Sequence, residues 1–298
     1  MGTQVHRRHL LLGGAAALIG AAPRPRSAEE ALRALERRSG GRLGVCIVDT
    51  GRRATIGWRQ HERFTQASSF KLSLAAMILV EAERGRLALD EMLRWAGGDL
   101  LPHSPVTAAS AAMTLSVREL ARAAVVTSDN TAANVLLRRV GGPARLTAFW
   151  RESGDRVSRL DRYEPALNVT PPGTALDTTT PAAMATTVAK IVEGDVLRPA
   201  SRAMLIEWMA AASTGRNRLR AGFPANWRAG DKTGTGGGER RPIYVDLAFG
   251  APHGRAPLIV AAYFEPLRSA SAASAEAVLA AAGRIAAGSA VDGVAAST

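Results

Sequence analysis

One cysteine, three lysines and few aromatic residues set the first limits on this 298-residue chain. With Cys46 alone, neither an intrachain disulfide nor a cysteine zinc site can form. Its neighbours Val45, Ile47 and Val48 mark it as a buried strand residue rather than a reactive thiol. The five histidines are scattered and none stands in an HExxH or paired-His spacing, so no metal is expected. The Gly-rich "GTGGG" stretch opens no helix, which argues against a nucleotide loop and leaves no cofactor to expect. Aromatics make up 5% of the residues, and no basic run is interleaved with them. The net charge of +12 therefore does not read as a nucleic-acid face. No stretch reaches the roughly 18 apolar residues of a membrane-spanning helix.

What is present is an ordinary globular composition, 47% apolar and 21% charged, enough for one large domain or two intimate lobes. Near the N-terminus, Arg7 and Arg8 precede an apolar stretch from Leu10 to Ala22, too short to span a bilayer and suited to the core of a signal peptide. The arginine pair suggests a twin-arginine-like export signal over residues 1–28, with small residues at Ala21–Ala22 and Ser27–Ala28 offering cleavage sites. Export to the periplasm or medium is the expectation, with no membrane association once the signal is removed, and the mature protein is expected to be a monomer.

Helical spacing runs from Glu29 to Ser39 and stops at Gly40–Gly41. "RLGVCIVDT" and "RRATIGWR" then read as strands with Gly51 in the turn between them. From about Gln66 to Ala212 the patterns are mostly helical. Strands return in "RAGDKTGT", "IYVDLAFG" and "LIVAAYFE", before a final helix over about Ala272–Ala287. Two strands alone are marginal, so the first and last strands must share one sheet. The expected fold is α/β (α+β): an antiparallel sheet flanked by the terminal helices, with an all-helical lobe inserted between its halves. The sheet lobe is placed at 29–62 and 213–298 and the helical lobe at 63–212, with a site in the cleft between them.

Four clusters can carry chemistry. Ser68 and Lys71 are i and i+3, on one face of a helix. A serine hydroxyl is a poor nucleophile until a base takes its proton, and an amine whose stem is buried is easier to deprotonate. Ser69 does not face Lys71 and is set aside. In "TSDN", Ser128 and Asn130 can point from a loop to one spot, the first to pass a proton and the second to bind an amide; taken alone, the same residues make a helix cap. Glu164 precedes Pro165 and so sits at a turn. The sixteen residues from Arg162 to Asp177, with four Pro or Gly, suit an omega loop whose ends an Arg162–Asp177 ion pair can pin. A carboxylate on that loop can orient and deprotonate a water, with Asn168 holding the same water. In "DKTGTGG", Thr233 and Thr235 alternate onto one strand face, Gly234 admits a close neighbour, and Lys232 adds a cation for a carboxylate.

Ser-x-x-Lys, Ser-Asp-Asn, Glu-Pro-x-Leu-Asn and Lys-Thr-Gly thus occur in order at Ser68–Lys71, Ser128–Asn130, Glu164–Asn168 and Lys232–Gly234. From about residue 28 to 290 the chain resembles the class A β-lactamases, a resemblance extended by "SPVT", "DTTTPAAMA" and "FPANW". The resemblance implies hydrolysis of a β-lactam, a small-molecule partner, through a serine acyl-enzyme. Ser68 would attack the carbonyl, with the backbone N–H groups of Ser68 and Thr235 as the oxyanion hole. Ser128 would protonate the lactam nitrogen. Lys232, Thr233 and Thr235 would hold the substrate carboxylate, Asn130 its side-chain amide, and Glu164 with Asn168 the hydrolytic water. Either Lys71 or Glu164 would take the first proton. His103 stands where the family often has an aromatic cleft wall. Arg218, Arg240 and Arg241 are candidates for the arginine that supports the carboxylate site. Ala67 stands where some members carry Cys, so no bridge forms beside the site. The competing activities are a D-Ala-D-Ala carboxypeptidase or transpeptidase, and a β-lactam-binding sensor; Glu164 and its loop argue against both.

Overall fold

The computed structural model describes residues 27–238 and 242–295. The expected signal peptide falls almost wholly outside the described residues, as do Arg240 and Arg241. Helix α1 (Ala28–Ser39) begins where Ser27 accepts a hydrogen bond from the Glu30 N–H. Glu29 and Glu30 in its first turn and Arg37 and Arg38 in its last complement the helix dipole. Strands β1 (Arg42–Asp49), β2 (Ala54–Trp58) and β3 (Phe64–Thr65) follow, then helix α2 (Phe70–Glu83). The helical lobe continues through β4 (Met92–Arg94), α3 (Pro105–Ala108), β5 (Thr114–Ser116), α4 (Val117–Val126), α5 (Asn130–Arg139) and α6 (Pro143–Glu152). Next come β6 (Thr178–Thr179), α7 (Pro181–Val192) and α8 (Pro199–Ala210). Strands β7 (Arg228–Gly236), β8 (Ile243–Ala251) and β9 (Leu258–Glu265) return to the sheet, and α9 (Ala272–Ala295) closes the chain.

The sheet order is β2-β1-β9-β8-β7, antiparallel throughout. The expected pairing of first and last strands is met by β1 against β9, in register from Arg42 with Glu265 to Asp49 with Leu258. Period-2 alternation divides the core. Leu43, Val45 and Ile47 join Val260, Ala262 and Phe264 under α1 and α9, with Leu32 and Leu279. Cys46, Ile259, Ala261 and Tyr263 face the helical lobe. Burial pushes the Cys46 thiol up to about 12, which keeps it protonated and unreactive.

Two features depart from the sequence reading. The middle of the chain is not helical throughout: β3 pairs with β6, and β4 with β5. Ser68 also lies just before α2, in a 3-10 turn over Ala67–Ser69, rather than on the α-helix itself. Helix α2 is buried on every side from Phe70 to Glu81, as expected of a helix apolar all round. Leu72, Leu74, Met77, Ile78 and Leu79 are fully buried, each stabilising by about 1.5–3 kcal/mol. That sum exceeds the several kcal/mol that desolvating one amine costs. The helix can therefore carry Lys71 into the interior.

Candidate active site

The four clusters converge where the start of α2, the α4–α5 turn, the omega loop and the edge strand β7 meet. They line a cavity of about 270 Å³ bounded by Ser68, His103, Ser128, Asn130, Asn168 and Thr233–Thr235. A larger cavity, about 410 Å³, opens among Val80, Arg84, Phe149 and Lys190, but none of the four clusters reaches it.

Lys71 is the hub. Its Nζ lies 2.9 Å from Ser68 Oγ, 2.8 Å from the Ser128 carbonyl, 2.5 Å from Asn130 Oδ1 and 3.1 Å from Glu164 Oε1. Burial pulls its pKa below the usual lysine range, with the Glu164 charge opposing that shift. Ser68 Oγ donates to Glu164 Oε1 at 3.0 Å, so the serine hydroxyl is bonded to both candidate bases. The i, i+3 spacing brings Ser68 and Lys71 together across the junction of the 3-10 turn and α2.

Ser128 sits in the left-handed region (φ 59°) in the turn between α4 and α5. Lys232 Nζ donates to its Oγ at 3.0 Å, and Lys71 Nζ stands 3.5 Å away, so Ser128 bridges the two buried lysines. Burial, with the Lys71 charge adding to it, holds Lys232 well below the usual lysine range. Ala67 (φ 44°) and His103 (φ 58°) share the left-handed backbone, an uncommon conformation for residues with a Cβ and one found at functional sites. His103 is exposed at the rim, and its carbonyl accepts from the Asn130 N–H.

Glu164 is held from both ends. Asn134 Nδ2 donates to its carbonyl and Asn134 Oδ1 accepts from its N–H, each at 3.0 Å. Asn168 Nδ2 donates to Glu164 Oε2. The loop ends are joined by Arg162 Nε and Asp177 Oδ2 at 2.6 Å, and Asp177 also accepts the N–H groups of Asp161 and Arg162.

Strand β7 lies against the Ala67–Ser69 turn because Gly234 has no side chain. A Cβ there would stand 2.9 Å from the Gln66 carbonyl oxygen and 3.0 Å from the Ser69 nitrogen. Thr233 is buried, Thr235 is exposed into the cleft, and Thr214 Oγ1 lies 2.7 Å from Thr233 Oγ1. Of the three candidate arginines, Arg218 is described. Its Nη1 donates to the carbonyls of Gly234 and Val245 at 2.9 Å, and its Nη2 donates to Thr235 Oγ1 at 2.8 Å.

Sequence reading missed Asn134 and Thr214, and saw in Asp129 only part of a helix cap. Asp129 caps α5 and also accepts the N–H groups of Val106 and Thr107, which ties the His103 loop to the Ser128 turn. Asn134 carried one signal: a polar residue on a helix whose neighbours Ala132, Ala133, Val135 and Leu136 are all apolar.

The profile of the beta-lactamase enzyme family matches residues 27–289. Beta-lactamase L2 of Stenotrophomonas maltophilia is 48% identical over 233 residues, covering 78% of this chain and 76% of that protein. The carbapenem-hydrolyzing beta-lactamase KPC of Klebsiella oxytoca is 42% identical over 255 residues, covering 85% of each. Among solved structures, an ancestral class A beta-lactamase superposes with a TM-score of 0.83 at 48% identity, covering 87% of this chain and 98% of that one. A beta-lactamase from Burkholderia vietnamiensis superposes at 0.85 with 44% identity, covering 93% and 99%.

Proposed function

This chain belongs to the class A β-lactamases and hydrolyses β-lactams through a serine enzyme chemistry, and from that premise we propose that Ser68 is the nucleophile and Glu164 the base that activates it. One observation carries this reading: Ser68 Oγ accepts from Lys71 at 2.9 Å while donating to Glu164 at 3.0 Å. The serine proton faces Glu164, and the Lys71 ammonium steadies the developing alkoxide.

On this reading Ser68 Oγ bonds to the lactam carbonyl carbon as its proton passes to Glu164. The N–H groups of Ser68 and Thr235 hold the oxyanion; one such donor is worth on the order of 10²–10³ in rate. The C–N bond breaks as the Ser128 hydroxyl protonates the nitrogen; Lys71, in reach of both Ser128 Oγ and Glu164, returns a proton to Ser128 and takes the one that Glu164 received from Ser68, which leaves Glu164 ionised for the second step. Water then attacks the ester, Glu164 takes its proton, and Ser68 leaves with one. Asn168 Oδ1 is buried without a hydrogen-bond partner among the described residues, an acceptor for the water's other proton. Lys232, Thr233 and Thr235 take the substrate carboxylate with Arg218 behind them, Asn130 takes the side-chain amide, and His103 walls the cleft. Arg162 and Asp177 hold the omega loop.

Export by a twin-arginine-like signal and action as a monomer, without nucleic acid or membrane, belong to the same proposal. Among the described residues no helix is long and apolar enough to cross a membrane. Because Ser27 caps α1, cleavage at Ala21–Ala22 suits the mature fold better than cleavage at Ser27–Ala28. The test of the site is Ser68→Ala assayed with nitrocefin: turnover is lost while circular dichroism is unchanged. Turnover at the wild-type rate would remove Ser68 from its role.

A further inference from the structure

Directly behind the Lys-Thr-Gly strand lie two acids that the chemistry above does not use. Asp231 on β7 and Asp246 on β8 are both fully buried. The register pairs Thr233 with Asp246 and Asp231 with Ala248, which makes the two acids diagonal neighbours on one sheet face. Each carboxyl is among the groups that shift the other's ionisation. Asp246 Oδ1 and both Asp231 oxygens have no hydrogen-bond partner among the described residues.

Two neighbouring carboxyl groups out of water do not both ionise, because two anions repel and neither can donate to the other. The surroundings decide which one keeps the proton. Asp231 is in ion-pair contact with Arg220 Nε and lies beside Lys232 and Arg218. Outside the pair, Asp246 accepts only the Leu219 N–H among the described residues, at 3.0 Å, and although Arg218 and Arg220 also favour its charge it makes no ion-pair contact with either. The cations therefore stabilise the charge on Asp231. Burial raises both acids, Asp231 to about 6 and Asp246 well above the usual carboxylate range, with the Asp231 charge adding to the rise of Asp246.

The pair also anchors the segment that carries Arg218. Leu219 N–H and the Arg220 side chain reach Asp246 and Asp231 from that segment, and a Cβ on Gly215 would fall on the Asp231 carboxylate. Arg218, between Gly215 and Leu219, reaches Thr235 Oγ1, while its Nε pairs with Glu276 of α9 at 3.2 Å. The other charge near Lys232 is Lys71 of α2.

We propose that Asp231 and Asp246 share one proton, held on Asp246, and act as a positioning pair that fixes Arg218 and keeps a second negative charge from beneath the subsite for the substrate carboxylate. The proposal rests on the reading that Lys232, Thr233 and Thr235 form that subsite. A doubly ionised pair would compete with the substrate for Lys232 and Arg218. A singly protonated pair leaves their positive charge directed into the cleft.

The proposal predicts three results. Infrared difference spectra of the wild-type protein against Asp246→Asn at neutral pH show a protonated-carboxyl C=O band that the variant lacks. Asp246→Asn, which keeps a donor to Asp231 and an acceptor for Leu219, retains kcat/KM for a penicillin within about threefold. Asp231→Asn, which strips Arg220 of its ion-pair partner, lowers kcat/KM on the order of tenfold while kcat, set by Glu164 and its water, changes little. Absence of the band, or equal losses in the two variants, overturns the shared proton. Lys232→Ala measured alongside separates the two ideas: an unchanged kcat/KM in that variant removes the carboxylate subsite itself, whatever the infrared result.

Discussion

Lys71 Nζ and Glu164 Oε1 stand 3.1 Å apart with both side chains wholly buried. An ion pair this deep contributes little net stability, because desolvation of both partners offsets their attraction. Its value lies in position. Each partner also bonds Ser68 Oγ, so the three groups proposed as acid, base and nucleophile form one triangle in place before substrate arrives.

Asn134→Ala removes both side-chain bonds to the Glu164 backbone. The carboxylate then loses its fixed approach to Ser68 and to the hydrolytic water. We expect kcat to fall on the order of tenfold and stability to fall by about 1–3 kcal/mol, since two buried polar groups lose their partner. Steady-state kinetics and urea titration check this. Wild-type kcat in a folded Asn134→Ala protein contradicts it.

Gly234→Ala pushes β7 away from the Gln66–Ser69 backbone, because the new Cβ meets main-chain atoms that cannot swing aside. The Thr235 N–H moves with the strand. Acylation should slow on the order of 10²-fold, as for loss of one oxyanion donor. Single-turnover acylation by a chromogenic cephalosporin reads it directly; an unaltered rate means the strand is not held by that contact.

The pH dependence of stability tests the buried acids. An unfolded aspartate ionises near 3.9, whereas Asp231 in the fold is raised to about 6. Between those values the folded state holds more protons, so the stability contributed by this group is full below about pH 4 and is lost as pH rises through about 6. The stability difference between wild type and Asp231→Asn should shrink by about 2–3 kcal/mol over that window. Denaturant titrations at successive pH values measure it, and a difference that grows with pH contradicts the assignment.

The four clusters could be read from sequence because each is short and its geometry is set locally, by a turn, a cap or strand alternation. The sheet could be read because β1, β8 and β9 are long and apolar and β7 carries the Lys-Thr-Gly stretch. The pairs β3–β6 and β4–β5 could not, since strands of two or three residues carry no periodicity and Phe64 finds Thr179 only through the tertiary fold. The 3-10 turn at Ser68 was equally silent, because alanine is not a residue that announces a positive φ, yet Ala67 adopts one. Asn134 and the Asp231–Asp246 pair act across register and packing. The choice of Arg218 needed the path of the segment before β7.

The most direct test is Glu164→Gln mixed with benzylpenicillin and followed by intact-protein and peptide mass spectrometry. The account predicts a stable adduct equal to the whole penicillin, carried on the peptide containing Ser68, because acylation proceeds slowly while hydrolysis of the ester stops. Hydrolysis at the wild-type rate with no adduct, or an adduct on another residue, contradicts it.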